Sequence, residues 1–480
     1  MDPVNIASLI DAAAEDDPER RAIIDDRGGM TTYAELRDEV MRWAATLSAH
    51  GIARGDRVAL VDWGGVRSTA VTLAAAHLGA ATAQMNPLLT AGEIATLVEV
   101  AGCAPFVVRT DYEPDPSVAA ADAPERVDDD RLDALVLFTS GTTGLPKPVP
   151  ITHGSILARL SAYRQPFDAS RPPATTIMCV PSFHVGGMLG LIMTLYAGDT
   201  SVIQPRFDAG VWLELVSMHR IATVFLVPTM LARILDHPSF ASTDLSALRL
   251  ISYGAAAAPT VLVRRAMAAL PDVGFANVFG QTETLGAYTT LGPHDHGDPR
   301  RVGSVGLPLP GVELRIVDPD TDVDVPTGEV GEIWMKGAQN VRGGWLHTGD
   351  WGRLDEDGYL YPAGRRSDTI NRGGEKFGPV EIVAVLTDHP AIAEVAVAGV
   401  PDDEMGERVG VIVVVAEGEI TPTTEELREW SRDRLATYKL PEIVVVADAL
   451  PTNELGKLPR RAVVELIVAA RTEAREEHAS

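Results

Sequence analysis

Cysteine is almost absent from this chain of 480 residues, which contains only Cys103 and Cys179. Two cysteines cannot form a disulfide framework, and both lie among apolar neighbours, as free thiols in a reducing compartment do. The N-terminal residues also lack a basic segment followed by a long apolar stretch, which a secretory signal requires. These absences predict a cytoplasmic protein.

Basic residues are scarce relative to acidic ones. The chain has 41 Lys and Arg against 67 Asp and Glu, which gives a formal net charge of -26. Such a field repels nucleic acid and anionic lipid. Long apolar runs are missing as well, because residues 70–81 and 185–197 fall short of the roughly 18 residues that a membrane span needs. We therefore expect no nucleic-acid partner and no integral membrane association.

The composition is that of an ordinary globular protein, with 46% hydrophobic and 22% charged residues. At roughly 100–200 residues per domain, the length predicts two or more domains. In the first half, helical patterns at 32–47 and 69–78 alternate with strand patterns at 57–61 and 80–84, which predicts α/β layers. Near Ala363 the pattern changes to that of a small α+β domain.

A loop of hydroxyl residues and glycines follows the apolar run at 135–138 and ends in a lysine. Its residues are Thr139, Ser140, Gly141, Thr142, Thr143, Gly144, Leu145, Pro146 and Lys147. Glycines let the backbone approach a phosphate, hydroxyls donate to its oxygens, and the ammonium group adds a positive charge. The spacing is not that of a Walker A loop. Taken alone, the loop is compatible with a phosphate cradle, which we favour, or with a plain linker.

Five more motifs follow the loop. In chain order they are Phe279-Gly280-Gln281-Thr282-Glu283, His347-Thr348-Gly349-Asp350, Gly364-Arg365, Gly373-Gly374-Glu375, and Pro451 with Gly456-Lys457 and Arg460. Together the six motifs resemble the adenylate-forming superfamily, which includes acyl-CoA synthetases, stand-alone adenylation domains and firefly-type luciferases. The resemblance spans residues 33–460, and six ordered motifs are far more specific than any one of them.

The resemblance implies an α/β fold in two domains. Residues 1–365 would form a large N-terminal domain of α/β layers with a β-barrel-like subdomain, which binds ATP and the acyl group. Residues 366–368 would form a hinge that includes Asp368. Residues 369–480 would form a small, mobile α+β C-terminal domain that carries the adenylation lysine, and the protein could form a homodimer.

The implied activity is that of an ATP-dependent acyl-CoA ligase. A carboxylic acid and ATP, with Mg²⁺, would give an acyl-adenylate and pyrophosphate, and CoA would then accept the acyl group as a thioester. Small residues in the segment after the strand at 248–252, together with Gly186 and Gly187, favour an apolar aliphatic, alicyclic or aryl acid over acetate.

The resemblance also assigns roles to catalytic residues. Lys457 would stabilise the negative charge that develops as the carboxylate attacks the α-phosphate. We expect a turn at Phe279-Gly280, shortly before Thr282 and Glu283. Thr282 would contact the α-phosphate, and Glu283 would hold Mg²⁺, which prefers oxygen ligands. His184 would lie beside the acyl carboxylate, although a structural histidine is the alternative.

The remaining assignments concern the nucleotide, the acyl group and domain movement. Asp350, which we expect in a turn after Trp345, would accept hydrogen bonds from the ribose, and Arg365 would add a second nucleotide contact. Residues 371–377 would cover the acyl-adenylate after the small domain rotates. The other residues expected at the nucleotide or acyl pocket are Gly254, Ala255, Ala256, Phe279, Gly280, Gly373 and Gly374.

The sequence departs from the family pattern at three places. Pro148 replaces a common glycine and stiffens the loop end. Phe279 replaces a common tyrosine, and the segment 340–345 is shorter than usual. His294 and His296 lie in a Pro/Gly/Asp loop, where we expect no metal site because further ligands are missing.

Three alternatives to an acyl-CoA ligase remain at this point. The acceptor could be the phosphopantetheine thiol of a separate carrier protein, since this chain contains no carrier domain. The protein could be a nucleotide-binding regulator with weakened turnover, as Pro148 and the short segment suggest. A luciferase-like oxygenase is possible by family but has no specific support.

Overall fold

The computed structural model describes residues 3–109, 111–139, 146–163, 166–365, 368–373, 375–402, 404–452 and 458–479. Their α-helices are α1 (Asp11–Asp16), α2 (Tyr33–Ala49), α3 (Val66–His77), α4 (Ala91–Ala101), α5 (His153–Tyr163), α6 (Val185–Tyr196), α7 (Ala209–Met218), α8 (Pro228–Asp236), α9 (Thr260–Ala269), α10 (Val380–Thr387), α11 (Thr424–Arg432) and α12 (Arg460–Ala479). None of these helices within the described residues combines the length and apolar character needed to cross a bilayer.

Helix starts follow local capping chemistry. The hydroxyl of Thr32 accepts from the backbone N–H of Glu35, whose carboxylate accepts from the N–H of Thr32, which forms a capping box at the start of α2. The same reciprocal pair, Thr90 with Glu93, begins α4. Gly102 ends α4 in the left-handed conformation at φ 64°.

The first five-stranded sheet contains β3 (Arg57–Val61), β4 (Ala81–Met85), β5 (Val107–Arg109), β6 (Asp133–Thr139) and β7 (Lys147–Thr152). Its order is β5-β3-β4-β6-β7, parallel except for the β6–β7 pair. The strand predicted at 57–61 is confirmed at both ends. All five residues of β4 are buried, as expected of a parallel strand that is covered on both faces.

A nine-stranded sheet lies beside it. Its strands are β1 (Arg21–Asp25), β2 (Met30–Thr32), β8 (Thr175–Met178), β9 (Thr200–Ile203), β10 (Thr223–Leu226), β11 (Leu250–Gly254), β12 (Gly274–Gln281), β13 (Gly286–Leu291) and β14 (Leu307–Pro308). The order is β14-β13-β12-β11-β10-β8-β9-β1-β2. The strands from β12 to β1 in this order are mutually parallel, and antiparallel strands flank them.

The expected barrel-like subdomain is a five-stranded antiparallel sheet. It contains β15 (Glu313–Asp318), β16 (Val323–Asp324), β17 (Gly331–Lys336), β18 (Leu346–Leu354) and β19 (Leu360–Arg365), in the order β16-β15-β17-β18-β19. Ile316, Ile333, Met335 and Leu360 pack with Tyr288 of β13 in one apolar cluster. This cluster fastens the antiparallel sheet to the edge of the nine-stranded sheet.

The C-terminal region has its own sheet and core. Its strands are β20 (Ile370–Arg372), β21 (Glu375–Phe377), β22 (Ile392–Asp402), β23 (Gly406–Val415) and β24 (Ile443–Val446), and α10, α11 and α12 pack on them. The apolar clusters here contain only residues from Ile370 onward. The predicted mixed α/β architecture with a large N-terminal and a small C-terminal domain is confirmed.

Two local predictions were wrong. Asp350 lies inside β18 and not in a turn, because β18 pairs with both β17 and β19 at this point. Phe279 and Gly280 lie inside β12 and not in a turn, because both pair with β13. In each case the strand pairing decided the conformation.

Candidate functional site

The carboxyl ends of β8, β10, β11 and β12 lie at one edge of the nine-stranded sheet, since these strands are parallel. Crevices at this edge are the usual ligand sites of open α/β sheets. His184 follows β8, Ala255 follows β11, and Thr282 follows β12. The fold therefore brings three separate segments of the chain to the same edge, the first and last of them about 100 residues apart.

The segment after β11 is tightly confined. A Cβ atom on Gly254 would lie 2.2 Å from the carbonyl oxygen of Val278, its partner in register on β12, so only glycine can occupy this position. Ala255 has a left-handed φ of 67°. That conformation costs an alanine about 1–2 kcal/mol, and such strain concentrates at functional sites.

Glu283 lies in a 3₁₀ helix, Thr282–Thr284, directly after β12. The side chain of Thr284 closes this turn, because its Oγ1 accepts from the backbone N–H of Gln281 at 3.0 Å. Leu285 then takes a left-handed φ of 49° and turns the chain into β13. Glu283 is half-buried, so its carboxylate can meet solvent ions while its backbone stays fixed.

The Glu283 carboxylate supplies the oxygen chemistry that Mg²⁺ prefers. No group of three or more His, Cys, Asp or Glu side chains that could hold a metal occurs among the described residues. One protein carboxylate completed by phosphate and water oxygens is the usual Mg²⁺ arrangement in ATP-dependent enzymes, so this donor set is suitable for the ion. The described residues around His294 and His296 likewise contain no such group of side chains.

Asp350 and Arg365 form an ion pair, with Arg365 Nε 3.0 Å from Asp350 Oδ1. The pairing follows from register, because the two residues lie directly opposite each other on β18 and β19. Asp350 is 8% exposed, whereas the Arg365 side chain is 55% exposed. The arrangement presents an oriented, largely buried carboxylate with an exposed cation beside it.

Two hydrogen bonds connect the Glu283 turn with the neighbouring sheet. The side-chain amide of Gln281 donates to the carbonyl of Thr348, at 3.4 Å, two residues before Asp350. The backbone N–H of Val341 donates to the carbonyl of Glu283 at 3.2 Å. The short segment 340–345 thus fixes the candidate metal-binding turn instead of leaving it open.

Phe279 and Gly280 lie on β12 beside this turn. The Phe279 ring meets the edge of the Tyr288 ring, with centroids 5.3 Å apart. A Cβ on Gly280 would lie 1.9 Å from the Gly286 carbonyl oxygen, so the glycine allows β12 and β13 to pair closely. Burial, followed by the charge of Asp350, raises the pKa of Tyr288, whose hydroxyl has no hydrogen-bond partner in the described structure. Sequence patterns did not indicate Tyr288.

His184 lies at the N-cap position of α6, and its ring contacts Phe183 with centroids 4.6 Å apart. A Cβ on Gly187 would lie 2.3 Å from the carbonyl oxygens of Val180 and Pro181, so this glycine has a packing role. A Cβ on Gly186 would lie 3.1 Å from the Phe225 ring of β10. Phe225, another residue that the sequence did not indicate, therefore limits the space beside His184.

The helix that follows His184 also reaches the Glu283 turn. Leu189 of α6 lies against Gly286, whose Cβ position is 3.5 Å from the Leu189 Cδ2 atom. Leu285 and Met188 belong to the same apolar cluster. These contacts link the helix that follows His184 to the Glu283 turn, which is itself hydrogen-bonded to the strand that carries Asp350.

Several predicted residues lie outside the described part of the chain: Ser140, Gly141, Thr142, Thr143, Gly144, Gly374 and Lys457. Thr139 and Lys147, which flank the loop, are directly opposite each other at the ends of β6 and β7. Pro148 follows on β7, an edge strand that pairs only with β6 in the described sheet. Proline is tolerated on edge strands, which gives this departure from the family pattern a structural reason.

The hinge and glycine residues of the C-terminal region are partly described. Asp368 lies between β19 and β20, at the junction of the large and small domains. Gly373 has a left-handed φ of 59°, and its N–H donates to the carbonyl of Met405 at 2.7 Å. Ala256 follows Ala255 after β11, and Thr282 begins the 3₁₀ helix that contains Glu283.

The chain belongs to the AMP-binding enzyme family. The family model for AMP-binding enzymes matches residues 10–345, and the model for the C-terminal domain of these enzymes matches residues 381–457. The predicted membership of the adenylate-forming superfamily is confirmed, and the protein is an acid–thiol ligase of the AMP-forming type.

Similar proteins act on different acids and acceptors. The chain is 31% identical to the fatty acid–[acyl-carrier-protein] ligase ScoC of Streptomyces coeruleorubidus over 93% of both chains. It is 33% identical to the indoleacetate–CoA ligase of Aromatoleum aromaticum, over 91% of this chain and 93% of that one. The structure of the amide bond synthetase McbA from Marinactinospora thermotolerans superposes with a TM-score of 0.84 at 28% identity, covering 96% of this chain and 99% of that one.

Proposed function

We propose that the protein converts an apolar aliphatic, alicyclic or aryl carboxylic acid into its CoA thioester through an acyl-adenylate. One observation carries this proposal: the parallel strands deliver His184, Gly254–Ala256 and Thr282–Glu283 to one sheet edge, and Gln281 beside this edge hydrogen-bonds to Thr348, two residues before Asp350 of the Asp350–Arg365 pair. Acid adenylation requires four groups of this kind: a site for the acid's carboxylate, a surface for a flat ring, a carboxylate that binds the metal, and a pair that binds the ribose.

In the first half-reaction, a carboxylate oxygen of the acid attacks the α-phosphorus of ATP, and pyrophosphate leaves. Asp350 accepts hydrogen bonds from the ribose hydroxyls, and Arg365 approaches the nucleotide from the solvent side. Thr282 donates to the α-phosphate, and Glu283 would hold Mg²⁺, which would supply positive charge to offset that of the phosphates. Positioning the reactants and stabilising the charge account for most of the catalysis in such a step.

The loop at 139–147 and Lys457 complete this half-reaction in our proposal. Thr139 and Lys147 bring the loop ends together, so that the hydroxyls and glycines between them hold the pyrophosphate. The cation of Lys457 stabilises the charge that develops between the carboxylate and the α-phosphate. The Phe279 ring and the Gly280 backbone line the nucleotide side.

In the second half-reaction, a thiolate attacks the acyl carbonyl carbon, and AMP leaves. We propose that rotation about Asp368 brings Gly373, Gly374 and the rest of residues 371–377 to the acyl-adenylate for this step. CoA is our preferred acceptor, and the indoleacetate–CoA ligase supports this choice. A cytoplasmic location and a homodimer remain predictions.

The surroundings of His184 support an apolar acid. Phe225, Ser252 and Ala276 lie in register on β10, β11 and β12, so their side chains share one face of the sheet. The Phe225 ring lies close to Gly186, where a Cβ would be only 3.1 Å from the ring. Largely apolar surroundings of this kind suit an acyl chain or ring that carries no charge beyond its carboxylate.

Two other acceptors are supported by the relatives. The ligase ScoC loads an acyl-carrier protein, and McbA is named as an amide bond synthetase. Both would share the first half-reaction proposed here. The regulator hypothesis loses its main support, because Pro148 lies on an edge strand and the short segment 340–345 holds Glu283 in place.

Pyrophosphate exchange tests the first half-reaction. The protein should incorporate labelled pyrophosphate into ATP only when a suitable acid is present, and Lys457→Ala should lose this exchange by a factor of about 10² or more. Thioester formation from preformed acyl-AMP should largely survive in the variant. Lys336→Ala, which removes an exposed lysine paired with Glu313, is the matched control.

Each result has a distinct meaning. Exchange at the wild-type rate in Lys457→Ala would refute the role of that lysine. Failure of every acid in a broad panel to support exchange would refute the adenylation proposal. Release of AMP with CoA, with a phosphopantetheinylated carrier protein or with an amine identifies the acceptor.

A further inference from the structure

His296 forms a buried hydrogen bond with Tyr253, the residue that precedes Gly254 and Ala255. The Tyr253 hydroxyl is 2.9 Å from His296 Nε2, and the two rings meet edge-on with centroids 5.7 Å apart. His296 is 4% exposed and Tyr253 is 2% exposed. The contact joins the carboxyl end of β11 to the connection between β13 and β14, residues 292–306, which we call the 292–306 loop.

The hydrogen bonds define the protonation state of this histidine. His296 Nδ1 is 2.8 Å from the carbonyl oxygen of Gly292, which can only accept a hydrogen bond, so Nδ1 carries the proton. In the neutral ring Nε2 is then an acceptor, and the Tyr253 hydroxyl donates to it. A second proton on Nε2 would remove that acceptor and break the contact.

The other end of the 292–306 loop is bound to the hairpin of β18 and β19. The Arg301 guanidinium lies 3.8 Å from the Tyr359 ring centroid and forms ion pairs with Asp355 and Asp357 in the turn of this hairpin. Leu360 and the loop exchange backbone hydrogen bonds, from Val305 N–H at 2.8 Å and to Gly306 O at 2.9 Å.

The loop therefore connects the two sheets that carry opposite sides of the candidate nucleotide site. Its His296 end fixes the strand that leads into Gly254–Ala256, and its Arg301 end fixes the hairpin that carries Asp350 and Arg365. We propose that the 292–306 loop is a brace that sets the spacing between these two sides, and that neutral His296 and Arg301 are positioning residues for ATP. This inference rests on the proposed function.

The brace predicts a dependence of ATP affinity on pH. Burial lowers the pKa of His296 below its ordinary value, against the opposing effects of the Gly292 hydrogen bond and the Asp295 carboxylate. The groups that face the imidazole are the Tyr253 hydroxyl from β11 and, from its own loop, the Gly292 carbonyl and Asp295. Acid therefore protonates His296, breaks its bond to Tyr253 and loosens the site.

The test is calorimetric measurement of ATP binding to the full chain. Tyr253→Phe removes the hydrogen bond and keeps the ring, so it should weaken ATP binding about three- to tenfold, the effect of one net hydrogen bond. Arg301→Gln, at the other end of the loop, should weaken binding in the same direction. Tyr33→Phe is the matched control, since it removes the buried bond from the Tyr33 hydroxyl to the Asp199 carbonyl, 2.7 Å long, away from the site.

His296→Gln separates positioning from titration. The glutamine amide can donate to Gly292 and its oxygen can accept from Tyr253, so this variant should keep wild-type affinity near neutral pH, whereas His296→Ala should not. Because burial lowers the pKa of His296 below 6.5, the ratio of wild-type to His296→Gln affinity should stay level down to that pH and fall as the pH drops further towards about 4.5, and this ratio cancels the titration of ATP itself.

Three results would overturn the inference. If Tyr253→Phe binds ATP as tightly as the wild type and Tyr33→Phe do, the brace does not position the site. If the affinity ratio stays constant across the pH range, protonation of His296 does not control ATP binding. If the wild type binds no ATP, the proposed function fails and this inference fails with it, whereas the first two results leave the proposed function intact.

Discussion

Asp350 illustrates how a single residue gains its role from its partner. Its carboxylate is 8% exposed and oriented by Arg365, so it is held ready to accept hydrogen bonds without rearrangement. We expect Asp350→Asn to weaken ATP binding about 10- to 100-fold, because a charged acceptor is lost and its contact with Arg365 weakens. Calorimetric titration with ATP measures the change.

The matched control for Asp350 is Asp324→Asn on the same sheet. Asp324 pairs with Arg315 at 2.7 Å, but its side chain is 59% exposed and it lies outside the candidate site. This variant should bind ATP as the wild type does. Equal losses in both variants would show that Asp350 acts only through the stability of the sheet.

His153 predicts how the stability of the large domain depends on pH. The histidine is fully buried, and its Nδ1 accepts from the backbone N–H of Ile6 at 3.2 Å. Burial lowers its pKa from 6.5 to about 4, against the opposing effect of Asp128 and nearby carboxylates. Below pH 6.5 His153 is protonated in the unfolded chain but still neutral in the folded chain. The free energy of unfolding therefore falls towards pH 4, by up to about 3 kcal/mol.

Urea denaturation at several pH values between about 7.5 and about 4.5 tests this expectation. This range covers most of the interval between the two pKa values of His153. The wild type should lose stability as the pH falls, and His153→Gln should lose less because glutamine does not titrate. Parallel curves for the two proteins would show that His153 does not contribute to the acid sensitivity.

At the scale of elements, strand register decides which side chains face the proposed acyl site. Phe225 and Val224 are neighbours on β10 with opposite orientations: Phe225 approaches Gly186, whereas Val224 is buried in the core on the other face. We expect Phe225→Ala to raise kcat/KM for longer or bulkier acids relative to shorter ones by about tenfold or more, because it opens the space beside His184.

A panel of acids of increasing size, assayed by pyrophosphate exchange, measures this preference. Val224→Ala removes a similar apolar side chain from the same strand, so it should reduce stability without changing the order of preferred acids. If both variants change the preference alike, or neither does, Phe225 does not define the acyl site.

At the scale of the whole molecule, separate cores predict separate unfolding. The apolar clusters from Ile370 onward share no residue with those of the large domain. We expect calorimetry to resolve two transitions, since each domain has a core of its own. Leu386→Ala should reduce the free energy of unfolding of the small domain alone, by about 2–5 kcal/mol, because Leu386 is fully buried there. Only the transition of the small domain should therefore move to lower temperature.

The counterpart in the large domain is Leu226→Ala, another fully buried leucine. It should lower the midpoint temperature of the large-domain transition and leave the midpoint of the small-domain transition unchanged. A single transition that both variants shift equally would mean that the two domains unfold as one cooperative unit, and would contradict the division at residues 366–368.

Much of this molecule was predictable from local sequence. Threonine and glutamate spaced three residues apart began α2 and α4, and the alternation of apolar patterns gave the α/β layers. Six ordered motifs identified the superfamily. These signals are readable because they involve residues close together in the chain, where capping and periodicity act without help from the rest of the fold.

Only the tertiary structure showed which distant residues meet. The Asp350–Arg365 pair depends on the register of β18 and β19, and the approach of Phe225 to Gly186 depends on a helix packing over a parallel strand. Tyr253 and His296 are 43 residues apart. No local pattern encodes such contacts, because register and packing follow from the burial of the whole core and from backbone hydrogen bonds between strands.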